Sequence, residues 1–305
     1  MKILKFKMFF SNFLKISRAN IQVASLPTAI LGILLGITNV GILSNLSVII
    51  YVILFFVSLT FACNLNCLCD LNVDEKYKTY MSNAVKSIGV RNIKIILVLE
   101  LIIIFSLIFY LFLEGYVFTS LISLLGLFFG ISYSMEPFRI KKRGILSPLP
   151  VLIGLYTLPI LGGWFLFNNS LPPHILLFVV GYALMNEGFT LVNTCEDYSE
   201  DKEEGIRTWA HVFGLEKTLL IAFIFSIAGI LCLIPFLVRL NSISPISYLM
   251  IIISFFGIMC ASKEVYLVRN DNNLEESAKK YAPKMRTWFM MTRYPLLFTT
   301  LSLFL

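Results

Sequence analysis

The sequence predicts an all-α polytopic membrane protein, with nine transmembrane helices packed into one bundle that forms a single domain over residues 1–305. Three observations predict this fold. Hydrophobic residues make up 58% of the chain and charged residues only 14%, against about 25% charged in soluble domains. The mean hydropathy is +0.84. Apolar stretches long enough to cross a bilayer, about 20 residues each, follow one another along the chain. A soluble, disordered or coiled-coil protein is thereby excluded.

The apolar stretches are separated by short polar links. Because lipid offers no hydrogen-bond partner to backbone groups, each stretch must form a helix rather than part of an open sheet. The predicted spans cover residues 21–43, 45–65, 92–113, 116–134, 146–167, 173–195, 217–239, 245–266 and 287–305.

The basic residues indicate the orientation of the bundle. Of the 25 lysines and arginines, 23 fall in the N-terminal arm or in alternate connections, on one side of the predicted membrane. Only Arg239 lies in an opposite loop, and Arg293 lies inside the last apolar stretch. By the positive-inside rule the charged side, with the N-terminus, is cytoplasmic in a cell-membrane protein. The net charge of +7 is therefore a topology signal, and no nucleic-acid partner is expected.

Two acidic clusters mark the cytoplasmic ends of the second and sixth spans. Asn66, Asp70 and Asp74 are spaced four residues apart, so on a helix they share one face. Asn193, Asp197 and Asp201 repeat the pattern. Carboxylates stacked at this spacing repel each other unless a cation lies between them. Oxygen ligands of this kind suit Mg²⁺, whose coordination is commonly completed by phosphate oxygens. We therefore expect a magnesium–phosphate site.

A basic strip lies between the two clusters in sequence, at the end of the fourth span. It reads YSMEPFRIKKRG and contains Tyr133, Arg139, Lys141 and Lys142. Some of these cations serve topology only. Others can neutralise a diphosphate, arginine through its planar fork and lysine as a point charge.

Together the three elements resemble the UbiA-type intramembrane prenyltransferases over nearly the whole chain. The family pattern NxxxDxxxD fits Asn66-Asp70-Asp74, and DxxxDxxxGxxTxxxxxG fits the segment DYSEDKEEGIRTWAHVFG from Asp197. The strip YSMEPFRIKKRG is similar to the family's Tyr-Ser-x-x-Pro loop. The Gly-x-Arg-Thr form of the second motif is closest to the menaquinone-type branch.

The resemblance implies Mg²⁺-dependent transfer of a polyprenyl group from its diphosphate to a lipophilic or aromatic acceptor, either a quinone precursor or an archaeal or bacterial lipid precursor. It assigns the metal and the catalytic role to Asp70, Asp74, Asp197 and Asp201. The isoprenoid tail is expected in the apolar bundle, open sideways to membrane lipid.

Other residues are expected to bind substrate. Asn66 and Asn193 accompany the carboxylates, Lys78 and Arg207 assist the cations of the strip, and Tyr133 faces the allylic carbocation. Glu187, inside the sixth span, either orients or deprotonates the acceptor or makes a hydrogen bond between helices.

One stretch departs from the family pattern. Many members carry an Arg-Pro stretch after the first acidic cluster, where this chain has Lys76 to Val85, reading KYKTYMSNAV. The acceptor is therefore not transferable from the resemblance. The rival interpretation is a polytopic transporter of a small or phosphorylated solute, which typically places its carboxylates near the membrane midplane.

Overall fold

The computed structural model describes residues 2–238 and 245–301, and within them the chain is helical without a β-strand. The α-helices are α1 (Lys2–Ile16), α2 (Ala19–Gly36), α3 (Leu46–Cys69), α4 (Leu71–Tyr77), α5 (Thr79–Ile88), α6 (Val90–Leu113), α7 (Val117–Ser134), α8 (Leu158–Trp164), α9 (Pro173–Glu196), α10 (Tyr198–Glu203), α11 (Trp209–Phe213), α12 (Leu215–Val238), α13 (Pro245–Arg269) and α14 (Leu274–Leu301). Short 3₁₀ turns occupy Val40–Ser44, Ile140–Lys142 and Gly144–Leu146.

Eight segments of the described chain are long and apolar enough to cross a membrane. They are α2, α3, α6, α7, the segment Gly144–Trp164, α9, and most of α12 and α13. The prediction of an all-α polytopic bundle is confirmed, with span boundaries shifted by a few residues. The first span ends at Gly36 rather than at 43, and the second continues to Cys69.

The ninth predicted span falls in the second half of α14. The first half of α14 carries Lys279, Lys280, Lys284 and Arg286, so the helix as a whole is less apolar than the other eight. It packs against α2, α9 and α13 as a member of the bundle. Arg239, the polar link after the seventh predicted span, which contains Asn241 and Ser242, and the end of the ninth span at 302–305 lie outside the described residues.

The fifth predicted span is not one regular helix. Pro150–Thr157 forms a π-helical stretch, in which the amide of Leu158 donates to the carbonyl of Ile153, five residues back, before α8 begins. Pro159 has no amide hydrogen and cannot serve the carbonyl four residues before it, so the normal α-helical register is interrupted here. Such bulges are frequent at functional sites, and this one faces the main cavity.

Glycines allow the central helices to approach closely. A Cβ on Gly229 of α12 would lie 2.6 Å from the carbonyl oxygen of Gly181 in α9, and one on Gly188 would lie 2.6 Å from that of Ala222. A Cβ on Gly32 of α2 would overlap the backbone of Ile160. Small residues at such crossings let backbones pack in lipid, where no hydrophobic force drives helix association. They make α9 the most enclosed span.

The first and last membrane helices are joined by a polar contact, which we call the α2–α14 latch. Pro27 inside α2 cannot donate to the carbonyl of Val23. The hydroxyl of Tyr294 donates to this carbonyl instead, at 2.7 Å. The neighbouring carbonyl of Ala24 accepts from Nη1 of Arg293 at 2.5 Å. α14 therefore satisfies a backbone group that the proline leaves open in the membrane.

Candidate functional site

The first acidic cluster lies at a junction between two helices. α3 ends at Cys69 and α4 begins at Leu71, with Asp70 between them. The amide of Asp70 donates to the carbonyl of Asn66 at 2.9 Å, and the amide of Asp74 donates to that of Asp70 at 2.8 Å. The helical hydrogen-bond pattern therefore continues through the junction, which places the three side chains on one face.

The second cluster has the same construction. Asp197 lies between α9 and α10. Its amide donates to the carbonyl of Asn193 at 3.2 Å, and the amide of Asp201 donates to the carbonyl of Asp197 at 2.9 Å. Two helix ends, four spans apart in sequence, thus present an amide and two carboxylates in the same order.

The two junctions lie at the same end of the bundle. Nζ of Lys78, after the first cluster, is 3.7 Å from a carboxylate oxygen of Asp197. Next to it, Lys76 pairs with Glu204 at 2.5 Å, and the hydroxyl of Tyr77 donates to Glu203. Cations on one segment therefore meet carboxylates on the other.

The basic strip also reaches the first cluster. Nη2 of Arg139 donates to Oδ1 of Asp70 at 2.9 Å, and Lys141 donates to Oδ2 of the same carboxylate. Nζ of Lys141 also lies 5.6 Å from the centre of the Tyr133 ring. Lys142, in the same turn, is half-buried and forms no ion pair with any described residue. Asp70 is thus the anion on which the strip converges.

Burial shapes the charges at this site. Burial, with repulsion from Asp70 second, raises the pKa of Asp74, and Oδ2 of this side chain is buried without a hydrogen-bond partner among the described residues. Burial and then repulsion from Asp197 raise the pKa of Asp201 to about 7. Burial lowers the pKa of Lys141, against the attraction of Asp70. The nearby cations therefore do not fully compensate the carboxylates of Asp74 and Asp201.

The donor set at the two junctions fits Mg²⁺. Within residues 2–238 and 245–301, no three His, Cys, Asp or Glu side chains already form a metal-ligand cluster. Magnesium does not need one, because it is commonly held by one or two carboxylates with waters and substrate phosphates. The buried, unpartnered oxygen of Asp74 is the kind of ligand that a cation would satisfy.

Arg18 is a residue of this site that sequence reasoning missed. It lies just before α2, and its Nη2 donates to Oδ1 of Asn66 at 2.8 Å. The amide nitrogen of Asn66 donates to Asp70 at 2.7 Å and to the hydroxyl of Ser134 at 3.0 Å. A basic residue before an apolar stretch looks like an ordinary topology signal, so only the tertiary contact reveals its place.

A cavity of about 240 Å³ opens between α2, α3, α7 and the π-helical stretch. Its polar end carries Arg18, Asn66 and Tyr133, and its far end carries Tyr51 and Pro159. Most of the remaining lining is apolar: Ile21, Leu54, Phe55, Ser58, Leu59, Ala62, Cys63, Ile122, Ser123, Gly126, Leu127, Phe129, Gly130, Pro150, Val151, Gly154, Leu155 and Leu158. The cavity thus joins the first cluster to the membrane interior.

Of the nine predicted substrate-binding residues, only Asn66 and Tyr133 belong to the described lining of this cavity; Arg207, Asn193 and Glu187 lie elsewhere. Arg207 is exposed, and its backbone carbonyl accepts from the amide of Gly144 at 2.8 Å, which ties the basic strip to the second cluster's loop. Asn193 is half-buried in α9. Glu187 is 1% exposed, and neither carboxylate oxygen has a partner among the described residues. None of the three lines the cavity.

A contact between helices, one of the two alternatives predicted for Glu187, is made by its neighbour Asn186. Oδ1 of Asn186 accepts from Nε and Nη2 of Arg293 at 3.0 and 2.8 Å. The guanidinium of Arg293 stacks 3.3 Å from the ring centre of Phe289. This buried cation therefore joins α9 to α14, and these contacts hold the two helices together.

The family model described as the UbiA prenyltransferase family matches residues 25–290. A lycopene elongase/hydratase from Haloferax volcanii is 35% identical over 91 residues. That match spans 30% of this chain and only 29% of the relative's length.

Solved structures resemble the whole chain. A structure of digeranylgeranylglyceryl phosphate synthase superposes with a TM-score of 0.68 at 16% identity, over 96% of this chain and 98% of that one. A UbiA homologue from Archaeoglobus fulgidus, bound to GPP and Mg²⁺, gives 0.63 at 15% identity over 94% and 99%. An apo homologue from Aeropyrum pernix K1 gives 0.67 at 17% identity over 92% and 97%. At this identity the likeness establishes a shared fold.

Proposed function

The chain belongs to the UbiA prenyltransferase family, and from this membership and the geometry of the site we propose that it transfers a prenyl group from a prenyl diphosphate to a lipophilic or aromatic acceptor. The observation that carries the proposal is the position of the cavity. Its polar end lies at Asn66, within hydrogen-bond distance of Asp70, and its remaining lining is mostly apolar. A diphosphate head and an isoprenoid tail need such a pair of environments.

The proposed metal ligands are Asp70, Asp74, Asp197 and Asp201. When bound, Mg²⁺ supplies positive charge that stabilises the diphosphate as the allylic C–O bond breaks. Lys141 and Arg139 are already beside Asp70. When a diphosphate arrives, both cations can move their hydrogen bonds from this carboxylate to phosphate oxygens, which frees Asp70 to act as a ligand. Charge-assisted hydrogen bonds of this kind are the strong ones.

The allylic cation left by C–O cleavage must be protected from water. The cavity wall next to the polar end is apolar, and the ring of Tyr133 lines it there. An aromatic face attracts a cation through its quadrupole. We propose that Tyr133 faces the cation and that the surrounding α3 and α7 side chains exclude water until the acceptor attacks.

The proposed acceptor is a lipophilic molecule that enters from the bilayer. The relatives support this class, because the names of two of them refer to digeranylgeranylglyceryl phosphate and to lycopene. A quinone precursor remains the aromatic alternative. The positive-inside pattern of the sequence supports a cytoplasmic side for the diphosphate mouth and the N-terminus, and we propose this orientation.

The transporter interpretation is less well supported by the structure. Charged groups do lie at membrane depth, among them Glu100, Glu187 and Arg293, each at most 7% exposed. None of them lines the cavity. Glu100 accepts a hydrogen bond from Asn64 at 2.7 Å, and Arg293 binds Asn186. Glu100 and Arg293 thus join helices, Glu187 has no partner among the described residues, and the three do not mark a polar path through the described bundle.

Membranes that contain the protein, incubated with labelled geranylgeranyl diphosphate and a panel of lipid and aromatic acceptors, test this function. We expect a covalent product, identified by mass, that requires Mg²⁺ and is lost in Asp70→Asn and Asp197→Asn. Glu114→Gln, an exposed carboxylate outside the site, should match the wild type. Wild-type rates in both site variants would contradict the proposal, as would substrate uptake into sealed vesicles without a covalent product.

A further inference from the structure

The cavity between α3 and α7 reaches Tyr51 at its deep end and has an unfilled wall on α7. We propose that it acts as a ruler, that is, a cavity whose depth limits the chain length of the prenyl donor. Tyr51 sets the greatest length, and Gly126 and Gly130 leave the interior of the cavity, here called the bore, unobstructed. This inference rests on the proposed function, because it assigns the cavity to the prenyl tail.

Tyr51 forms a fixed end to the cavity. Its side chain lines the deep end and is 3% exposed. Its hydroxyl donates to the carbonyl of Pro159 at 2.6 Å. On the far side, a Cβ added to Gly162 would lie 2.5 Å from the same hydroxyl oxygen. The ring is thus held by a hydrogen bond and by close backbone behind it, so a tail that reaches it meets a wall that cannot easily move.

Two glycines on α7 leave the side of the cavity empty. Gly126 and Gly130 both line it, and with Tyr133 they follow an i, i+4, i+7 pattern that places them on one helix face. A Cβ added to Gly126 would meet no described atom within 4 Å, and one on Gly130 would meet only Cβ of Ala62, at 3.4 Å. Larger side chains at these positions would therefore grow into the bore with little obstruction.

The length of the bore follows from helix geometry. Asn66 at the mouth and Tyr51 at the deep end are fifteen residues apart on α3, which corresponds to about 22 Å of helix rise. Gly126 lies seven residues before Tyr133 on α7, at a depth of roughly 10 Å by the same rise. A side chain at position 126 would therefore obstruct a long isoprenoid near the middle of the bore and leave the first units next to the diphosphate untouched.

The test compares donors of increasing length with one fixed acceptor, in bilayer nanodiscs. The specificity constant is measured with dimethylallyl, geranyl, farnesyl and geranylgeranyl diphosphates. For Gly126→Leu we expect transfer from geranylgeranyl diphosphate to fall at least tenfold relative to dimethylallyl diphosphate, whose own value stays within threefold of wild type. Leu125→Phe, on the lipid-facing side of the same turn, should leave the profile unchanged.

A variant at the deep end tests the ruler in the opposite direction. Tyr51→Ala opens the end and should shift the preference towards longer donors. Tyr51→Phe removes only the hydroxyl and should retain the wild-type length limit, which keeps the test usable if the alanine variant does not fold. Suppose that the wild type transfers prenyl groups, but Gly126→Leu lowers the specificity constants of all four donors equally or changes none of them. That result would overturn the ruler alone. A wild-type protein inactive with every donor and acceptor would overturn the proposed function as well.

Discussion

Asp70 is the residue at which three distant segments meet. It receives hydrogen bonds from Asn66 of its own helix and from Arg139 and Lys141 of the basic strip, and Arg18 reaches it through Asn66. Buried charges are stable when they are paired and hydrogen-bonded. Removing this one carboxylate would leave Lys141 without an ion-pair partner among the described residues, and Arg139 with only Glu136, at 3.8 Å. Its role is therefore both structural and, on our proposal, catalytic.

The two neighbouring lysines of the strip allow a matched comparison. Lys141 contacts Asp70, whereas Lys142 forms no ion pair within the described chain. We expect Lys141→Met to lower the specificity constant for the diphosphate by about 10- to 100-fold, the value of a charge-assisted hydrogen bond of about 1.5–3 kcal/mol. Lys142→Met should change it by less than about threefold, because this side chain has no ion pair with a described residue that the substitution would remove. Equal effects of both variants in a steady-state assay would contradict the geometry.

The raised pKa of Asp201 predicts that the Mg²⁺ requirement for activity depends on pH. Burial raises its pKa to about 7, Asp197 and Glu200 also oppose its ionisation, and Lys78 and Lys141 favour it. Below pH 7 the carboxyl is mostly protonated and is a poor ligand; above pH 7 it is an anion. The Mg²⁺ concentration for half-maximal activity should therefore fall as the pH rises from 6 to 8. This dependence should disappear in Asp201→Asn, and its persistence there would assign the titration to another group.

Residue-level prediction from the sequence depended on spacing. The interval of four residues was enough to place Asn66, Asp70 and Asp74 on one face, since backbone geometry alone determines it. The spacing did not identify Arg18 as a residue of the site, because its contact with Asn66 joins residues 48 positions apart. Nor did it show that the backbone carbonyl of Arg207 would accept a hydrogen bond from Gly144 of the basic strip.

At the scale of elements, α2 and α14 depend on each other. Pro27 leaves the carbonyl of Val23 without its helical donor, and Tyr294 supplies one from the other end of the chain. The pattern of apolar residues predicts both helices but contains no sign of this contact, because a proline inside a span looks the same whether or not a partner satisfies the free carbonyl.

A double-mutant cycle tests the α2–α14 latch. Tyr294→Phe should destabilise the protein by about 1 kcal/mol, in the range of hydrogen bonds between membrane helices. Pro27→Ala restores an amide donor to the carbonyl of Val23. In that background, Tyr294→Phe should therefore leave the free energy of unfolding almost unchanged. Unfolding in mixed micelles measures both differences, with Tyr248→Phe, exposed on α13, as the control. A cost that is the same in both backgrounds would show that Tyr294 does not serve the freed carbonyl.

The fifth span has a structural feature that the sequence pattern does not predict, namely its hydrogen-bond register. Apolar content predicts a span near residues 146–167, and the segment Gly144–Trp164 is long and apolar enough to cross a membrane. Hydrophobicity does not encode hydrogen-bond register, so the π-helical stretch Pro150–Thr157 was not predictable from it. The prolines were the available signal, since Pro159 cannot donate the α-helical hydrogen bond to the carbonyl four residues before it.

For the molecule as a whole, composition and charge were sufficient for the fold class. Alternation of basic connections and apolar stretches predicts a bundle whose charged loops share one side, and the loop contacts at Lys78 and Asp197 agree with that arrangement. The cavity was not predictable, because it depends on which faces of α3 and α7 meet and on the absence of side chains at Gly126 and Gly130.

The central claim is that both acidic clusters hold one diphosphate through shared Mg²⁺. Equilibrium binding of labelled geranylgeranyl diphosphate tests it most directly, measured with and without Mg²⁺ in the wild type, Asp74→Asn, Asp201→Asn and the double variant. We expect each single variant to weaken Mg²⁺-dependent binding at least tenfold, and the double variant to weaken it by much less than the product of the two, because groups that share one ligand are not independent. Wild-type affinity in either single variant, or effects that multiply as for independent sites, would contradict the account.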